Sequence, residues 1–400
     1  MKGFSPNDCW TLTLSHSLLH HSNPMTSNSP RLQSPLPSLQ IYLILDWDGT
    51  ITRSDTIAVL ADIGYKQRQT LHIQDRSPAI IPPWNHFVQA YLAEYDQHLA
   101  AYKPVKGDRR SVAEESAWLA SLKTIEVASF DRVNRSGLFQ GVTRNDLNNE
   151  TKLAIQEKRV ELRPGWEELL TSQVSKFCSD VRITSVNWSS SFIRASINAA
   201  LEFKVEELGK KHVDIDGSIL SAAAIHANEV ISIDSANGGP KSSMMAVSIK
   251  PLSANSCSGF HVAADKAQLL KELRQIGRTT SSEVSQPTSL DTNENPLVIY
   301  VGDSATDFDC LVEADIGICI QDEPLSSSQS ELEEMFARVG FVPVKVSRFD
   351  PMTFSLSTSG VQEKVIWVAR DLREVSNLVK ELSVHGRLPK RSQASGFRTT

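Results

Sequence analysis

Two short apolar runs that end in carboxylates constrain the fold of this chain more than any other feature. Ile41–Leu45 (Ile-Tyr-Leu-Ile-Leu) is followed directly by residues 46–50 (Asp-Trp-Asp-Gly-Thr), and Leu297–Val301 is followed by residues 302–304 (Gly-Asp-Ser). Apolar runs of this length, bounded by turn residues, are typical of buried strands. Because parallel strands share one carboxyl edge, where α/β proteins bind ligands, we expect these acids to converge.

Further strand and helix patterns alternate along the chain. Apolar runs predict strands at Val181–Val186, Ile316–Ile320 and Val342–Val346, and helical patterns cover Ser191–Glu207 and Ala264–Gln275. This alternation is typical of a doubly wound sheet with helices on both faces. The sequence therefore predicts an α/β protein with a Rossmann-like, doubly wound parallel sheet.

A helical segment of roughly one hundred residues separates the first predicted strand from the second. Within it, Phe87, Tyr91, Tyr95 and Leu99 recur every fourth residue, which predicts one apolar stripe that packs in a core. The segment is too long for an ordinary crossover between two strands. We therefore expect an inserted α-helical cap domain above the carboxyl edge of the sheet.

These patterns divide the chain into four predicted parts. Residues 41–54 and 162–384 form the α/β core, and residues 55–161 form the helical cap. Residues 1–40 are rich in Ser and Pro and lack a periodic apolar pattern, which predicts a disordered leader. Residues 385–400 are basic and contain no acid, which predicts a flexible tail.

Composition excludes several classes of protein and partner. Hydrophobic residues make up 40% and charged residues 22% of the 400 residues, as in ordinary globular proteins. The net charge of −6 gives no basic excess, so we expect no nucleic-acid partner. No apolar run approaches the ~18 residues that span a bilayer, so we expect no membrane partner. The five cysteines form no CxxC pair, which favours a reducing, cytoplasmic location.

Four carboxylates after the two strands suit a divalent metal ion. Asp46 and Asp48 follow the first strand, and they cannot both be buried as anions unless a cation or hydrogen-bond donors offset their repulsion. Asp303 and Asp307 follow the later strand. Taken singly, each acid is equally typical of a helix cap or a turn. Together the four make an oxygen-rich site that suits Mg²⁺.

Taken in chain order with Ser185 and Lys266, these acids resemble the four motifs of the haloacid dehalogenase superfamily. Residues 46–50 resemble its first motif, Ser185 its second, Lys266 its third, and residues 302–307 (Gly-Asp-Ser-Ala-Thr-Asp) its fourth. The resemblance covers roughly residues 41–345. It implies the α/β core with an inserted cap that the pattern of strands and helices also predicts.

Within the superfamily, the sequence is similar to the phosphoserine-phosphatase-like branch, which has a helical C1-type cap. The similarity rests on Asp55, on the helical insertion, and on residues 185–188 (Ser-Val-Asn-Trp). Three features differ from that branch. Asn187 and Trp188 replace small residues, Asp55 stands where a glutamate often contacts substrate, and the segment from Ser185 to Lys266 is long.

The resemblance implies a catalytic role for four residues. Asp46 would be the nucleophile that forms an aspartyl-phosphate. Asp48 would protonate the leaving oxygen and later deprotonate water, and its backbone carbonyl would bind Mg²⁺. Ser185 and Lys266 would donate to the phosphoryl group and offset its charge.

The resemblance also implies metal ligands and substrate contacts. The metal site would comprise Asp46, the Asp48 carbonyl and Asp303, with Asp307 acting directly or through water. Contacts to the substrate would come from Thr50, Asp55 and Asn187. Arg144 and Arg163 could meet a substrate carboxylate from the cap side, although surface positions are the simpler interpretation.

These roles together imply a Mg²⁺-dependent phosphatase that hydrolyses a small phosphorylated metabolite through an aspartyl-phosphate. Asp48 is the residue that dehalogenases lack and transport ATPases replace, which disfavours both activities. Two alternatives stay open: a phosphotransferase of the same superfamily, and a catalytically idle protein that only binds a partner. The presence of every catalytic group argues against the second alternative.

Overall fold

The structure is a computed structural model of the 400-residue chain. It describes residues 40–75, 81–170, 177–208, 224–230, 244–245, 259–280, 296–351 and 364–385. The predicted leader and basic tail lie outside these ranges, except for Gln40 and His385 at their inner ends.

Seven strands form one sheet in which all paired neighbours run parallel. They are β1 (Ile41–Leu45), β2 (Asp180–Thr184), β3 (Ala224–His226), β6 (Leu297–Gly302), β7 (Ile316–Ile320), β8 (Phe341–Lys345) and β9 (Lys364–Ala369). Across the sheet their order is β3, β2, β1, β6, β7, β9 and β8. Two further short strands, β4 (Glu229–Val230) and β5 (Met244–Met245), pair antiparallel with each other.

The central strands form where the sequence is almost continuously apolar. All residues of β6 and β7 are buried, as expected for strands covered on both faces. The predicted bounds of β1 and β7 are confirmed, and those of β2, β6 and β8 differ by one or two residues. Two strands of the seven-stranded sheet were not predicted. β3 is only three residues long, and β9 follows β8 in the chain but lies between β7 and β8.

Eleven α-helices are described along the chain. Five lie between β1 and the core segment that leads to β2: α1 (Ile57–Asp75), α2 (Trp84–Ala101), α3 (Val112–Ser121), α4 (Lys123–Ser136) and α5 (Arg144–Gln156). The others are α6 (Trp166–Leu169), α7 (Ser190–Leu208), α8 (Ala263–Thr280), α9 (Phe308–Glu313), α10 (Ser327–Arg338) and α11 (Leu372–His385).

Helices cover both faces of the sheet. Alternate residues of β1, such as Leu43, belong to a buried apolar cluster that includes Ile193 of α7 and Val379 of α11. Ile44 points to the other face and belongs to a second cluster with Leu270 of α8. This alternation follows from the period of two along a strand. The α/β fold class with a doubly wound parallel sheet is therefore confirmed.

Four of the five helices after β1, namely α1, α2, α4 and α5, share a third apolar cluster, which includes Phe87 and Phe130. The remaining helix, α3, contributes Trp118 to the second cluster. The predicted stripe on α2 is only partly buried. Phe87 is buried, Tyr91 and Tyr95 are half-buried, and Leu99 is 37% exposed. The hydroxyl of Tyr91 donates to the carboxylate of Glu126 at 2.7 Å. The division into core and cap stays a prediction.

Two sequence expectations concern the cysteines and the possibility of a membrane-spanning helix. Cys178, Cys310 and Cys319 are buried free thiols, so no disulfide links the cysteines in the described ranges. Within the same ranges, none of the helices combines the length and apolar character needed to cross a membrane.

Candidate active site

Residues of the first, third and fourth motifs meet at the carboxyl edge of β1 and β6. Lys266, in the first turn of α8, donates to Oδ1 of Asp46 at 2.7 Å and to Oδ1 of Asp307 at 2.8 Å. Asp46, Asp303 and Asp307 each offer a carboxylate oxygen, and these oxygens lie within 4.8 Å of one another. All four side chains are buried. The convergence expected from strand ends is therefore present.

The electrostatics of this group are dominated by burial. Burial raises the pKa of Asp46 well above its usual value, the charge of Asp307 adds to the rise, and Lys266 opposes it. Burial acts to lower the pKa of Lys266, but the carboxylates of Asp307 and Asp46 raise it above its usual value overall. Of the three buried acids, Asp46 and Asp307 pair with the single ammonium group of Lys266. A divalent cation would offset the remaining negative charge.

Asp307 is held in one orientation by donors on both carboxylate oxygens. Oδ1 accepts from Lys266 and from the hydroxyl of Tyr300 at 2.7 Å, and Oδ2 accepts from the backbone N–H groups of Asp303 and Ser304 at 3.1 Å each. A Cβ on Gly302 would lie 2.4 Å from Cγ of Asp307, so this position accepts only glycine. Sequence analysis missed Tyr300, because it lies within the apolar run of β6 and nothing distinguishes it there from a residue of the core.

The carboxylate of Asp303 is hydrogen-bonded to the turn that follows Asp46. Its Oδ1 accepts from the hydroxyl of Thr50 at 3.1 Å. Burial raises the pKa of Asp303 to about 8, and the charge of Asp307 adds to the rise. Thr50, predicted to contact substrate, therefore also positions a candidate metal ligand.

The backbone of the same turn rests on a buried arginine. Arg163 donates to the carbonyl of Gly49 at 2.8 Å and to that of Thr50 at 3.2 Å, and it pairs with both carboxylate oxygens of Asp322 at 2.6 and 3.1 Å. Only 1% of Arg163 is exposed, so its interpretation as a surface arginine is wrong. The buried position follows from contacts with residues more than one hundred positions away, while Arg144 is exposed.

Asp48 has a set of contacts separate from the three clustered acids. Its Oδ1 accepts from the backbone N–H of Thr56 at 2.8 Å and from the Thr56 hydroxyl at 2.6 Å, and its Oδ2 accepts from the Asn187 amide at 2.9 Å. Burial and then the charge of Asp55 raise the pKa of Asp48 to about 7, while these hydrogen bonds oppose the rise. A carboxyl group with a pKa near neutrality suits acid–base chemistry.

The loop after β2 supplies the second-motif residues. The buried Ser185 is anchored through its backbone N–H, which donates to the carbonyl of His226 at 2.9 Å. Its Oγ accepts from the N–H of Asn187 at 3.0 Å, so its own hydroxyl hydrogen can be donated elsewhere. Asn187, predicted to contact substrate, is fully buried with its amide against Asp48. Asp55 is exposed at the start of α1, where it accepts from the N–H of Ile57 at 2.7 Å.

A buried asparagine that sequence analysis missed joins two sides of the site. Asn228 donates its backbone N–H to the carbonyl of Asn187 at 3.1 Å. Its side chain donates to the carbonyl of Phe260 at 2.8 Å and accepts from the N–H of Phe260 at 3.0 Å. Asn228 thus links the loop of Ser185 to the segment that leads into α8 and Lys266. No motif marks this residue, because its role depends only on tertiary contacts.

The three clustered acids fit a hard divalent cation. Carboxylate oxygens are the preferred ligands of Mg²⁺, and the buried positions of Asp46 and Asp303 disfavour their ionised forms without a cation. The carboxyl group of Asp48 lies outside this set of three, as expected for an acid–base group that is not a side-chain ligand.

With the motif residues at the ends of β1, β2 and β6, the core has the arrangement that the sequence resemblance implies. Solved structures similar to this chain include two hydrolases. A solved structure of the phospho-aspartyl intermediate analogue of phosphoserine phosphatase aligns with 85% of this chain and 98% of its own, at 12% identity and a TM-score of 0.36. A HAD family hydrolase from Salmonella enterica aligns with 73% of this chain and 66% of its own, at 14% identity and a TM-score of 0.34.

Comparisons of sequence find distant relatives, and no protein-family model matches the chain. A CTO1 family protein of Schizosaccharomyces pombe is 27% identical over 293 residues, which cover 70% of this chain and 81% of that protein. Cold tolerance protein 1 of Saccharomyces cerevisiae is 24% identical over 40% of this chain and 51% of its own length. The bifunctional TH2 protein, mitochondrial, of Arabidopsis thaliana is 23% identical over 76% of this chain and 42% of its own length.

Proposed function

We propose that this protein is a Mg²⁺-dependent phosphatase that hydrolyses a small phosphomonoester through an aspartyl-phosphate on Asp46. The observation that carries this proposal is the buried group at the end of β1. There, Asp46 lies 2.7 Å from Lys266 and clusters with Asp303 and Asp307. A carboxylate beside a fixed ammonium and a cation-binding set of oxygens can approach a phosphate dianion.

The residues around Asp46 would divide the work of phosphoryl transfer. Asp46, Asp303 and Asp307 would hold Mg²⁺, which when bound offsets the negative charge of the phosphoryl group. Lys266 would keep the Asp46 carboxylate ionised and reduce its repulsion from the substrate. Ser185 would donate its hydroxyl hydrogen to a phosphoryl oxygen.

Asp48 would act as the acid and the base of the two half-reactions. In the first, an oxygen of Asp46 bonds to phosphorus, the ester P–O bond breaks, and Asp48 gives its proton to the leaving oxygen. In the second, Asp48 takes a proton from water as the water attacks the aspartyl-phosphate. Free phosphate is released, and the Asp46 carboxylate and the protonated Asp48 are restored.

Activity measurements on the purified chain test the metal requirement and the reaction class. Hydrolysis of an aryl phosphate should require Mg²⁺ and stop when excess chelator is added. Full activity in chelator would contradict the metal assignment. Release of the aryl alcohol that depends on an added hydroxylated acceptor, with the phosphoryl group appearing on that acceptor and not as free phosphate, would instead indicate the phosphotransferase.

Two amide variants separate the nucleophile from the acid–base group. Asp46→Asn should abolish turnover and phosphoenzyme together, because it removes the atom that forms the covalent bond. Asp48→Asn should still accept phosphate from an ester with a good leaving group and then release it slowly, since the base is missing. Intact mass spectrometry should detect an added phosphoryl group in Asp48→Asn only. Labelling of Asp46→Asn would show that the nucleophile lies elsewhere.

A further inference from the structure

We propose that Asn187 and Thr56 are positioning residues that hold the carboxyl group of Asp48 in one orientation for proton transfer to the leaving group. The inference rests on the proposed function, since it concerns the acid of that reaction. It gives Asn187 a role different from the substrate contact implied by sequence. Neither residue needs to touch the substrate, because both act through Asp48.

The first support is that Asp48 is held both by a residue nearby in the chain and by a distant one. Thr56, eight residues later, donates two hydrogen bonds to Oδ1, at 2.8 Å from its backbone and 2.6 Å from its hydroxyl. Asn187, which is 139 residues away, donates one to Oδ2 at 2.9 Å. Donors on both oxygens fix the plane of the carboxyl group as well as its position.

The second support is that the orientation of the Asn187 amide is itself fixed. Its Oδ1 accepts from the backbone N–H of Ser189 at 3.1 Å, so its NH₂ group must face Asp48. Rotating the amide by half a turn would set its oxygen against a carboxylate oxygen and its NH₂ against a donor. The backbone N–H of Asn187 also donates to Ser185, so one loop places the phosphoryl donor and the support of the acid.

The third support is that the hydroxyl hydrogen of Thr56 has one direction open to it. The Thr56 Oγ1 accepts from Nε1 of Trp47 at 3.2 Å and from Nδ2 of Asn187 at 3.2 Å, and both of these nitrogens are donors only. Its single hydrogen is therefore directed to Asp48. Thr56 and Asn187 are both fully buried, which protects this arrangement from competing water.

The two oxygens of Asp48 differ in how many hydrogen bonds they accept, which bears on where a transferable proton can sit. Oδ1 accepts two hydrogen bonds in the structure, whereas Oδ2 accepts one. The oxygen that binds the transferable proton needs a lone pair that does not already accept a hydrogen bond from another donor. Oδ2, beside Asn187, meets this condition better than Oδ1.

The test compares two substrates of similar shape whose leaving groups differ in their need for a proton. Phenyl phosphate has a poor leaving group, and 4-nitrophenyl phosphate has a good one. We would measure kcat/KM for both substrates with Mg²⁺ in the wild-type chain, Asn187→Ala, Thr56→Val and Thr56→Ser. The value of kcat/KM reports the first half-reaction, in which the leaving group departs.

Misplacing the acid should penalise the poor leaving group selectively. In Asn187→Ala and Thr56→Val, kcat/KM for phenyl phosphate should fall about 10²-fold, within the contribution expected of a general acid. For 4-nitrophenyl phosphate the fall should be less than about tenfold. Thr56→Ser restores the hydroxyl and should recover most of the loss seen in Thr56→Val. Thermal melting of each variant shows whether it is folded. Asn187→Ala removes a donor from Oδ2 of Asp48, whereas Thr56→Val removes one from Oδ1.

Three results would overturn the inference, and they differ from one another. Equal losses for both substrates would mean that Asn187 and Thr56 support the site as a whole. A rise in KM with unchanged kcat would mean that Asn187 binds substrate. A wild-type chain that hydrolyses neither ester with Mg²⁺ would overturn the proposed function, and this inference with it.

Discussion

Gly49 and Asp303 approach each other so closely that no side chain fits at the glycine. A Cβ on Gly49 would lie 2.2 Å from Oδ2 of Asp303, and the backbone at Gly49 has a positive φ of 75°. Glycine is therefore required here twice, for the conformation of the turn and for the space that the carboxylate occupies. The contact joins the turn after the candidate nucleophile to the acid that follows β6.

Gly49→Ala should disturb the site more than backbone strain alone explains. Gly340 provides the matched control, because it has a φ of +83° and no atom within 4 Å of a built Cβ. Gly340→Ala should lower the free energy of unfolding by about 1–2 kcal/mol and leave turnover unchanged. Gly49→Ala should lower it further and should also reduce activity, because Asp303 must move. If Gly49→Ala and Gly340→Ala had the same effect on the free energy of unfolding and on activity, the close contact with Asp303 would be unimportant.

Removing the buried arginine beneath the turn should destabilise the protein. Arg163→Met loses charged hydrogen bonds to two backbone carbonyls and to Asp322, each worth about 1.5–3 kcal/mol. The exposed pair of Arg370 and Glu323 gives the control, and Arg370→Met should change little. Chemical denaturation of both variants measures the difference. Similar stabilities for the two variants would contradict a structural role for Arg163.

Replacing the buried lysine should cost both stability and activity. Lys266→Met leaves Asp46 and Asp307 buried without their ammonium partner, and breaking a buried pair in this way typically costs about 3–5 kcal/mol. Added Mg²⁺ should recover part of the stability, because it supplies positive charge to the same acids. Lys152→Met, which removes a surface pair with Glu202, should leave both properties unchanged. Melting temperatures with and without Mg²⁺ test this.

Without metal, the protein should become less stable as pH rises from 5 to 8. Burial raises the pKa of Asp48 to about 7 and that of Asp303 to about 8, above the ordinary value of 3.8 that applies in the unfolded chain. Over this range the folded state holds protons that the unfolded state has lost, so raising the pH favours unfolding. Mg²⁺ should reduce the decline by binding the ionised form.

Melting temperatures measured across this pH range in chelator and in Mg²⁺ provide the test. Asp303→Asn keeps a neutral group at the site and should show a smaller decline in chelator than the wild-type chain. A melting temperature that rises with pH in chelator, or an unchanged slope in Asp303→Asn, would contradict the raised pKa of Asp303.

The sequence by itself determined the sheet class and the grouping of the motif acids. Ile41–Leu45 and Ile316–Ile320 are strands at their predicted bounds, because both are short runs buried on two faces and bounded by turn residues. Asp46, Asp303 and Asp307 meet because parallel strands end at one edge. Local pattern was sufficient for these features, since each depends on strand burial and strand direction alone.

Only the tertiary structure decided the contacts that tune the candidate site. The Asn187 amide faces Asp48 across 139 residues, and Arg163 supports Gly49 across 114 residues. Tyr300 had only the pattern of a buried strand residue until its hydroxyl was found to donate to Asp307. A hydrogen bond requires two groups within about 3 Å at a suitable angle. Residue type and spacing along the chain do not specify that geometry, whereas the packing of loops from different strands does.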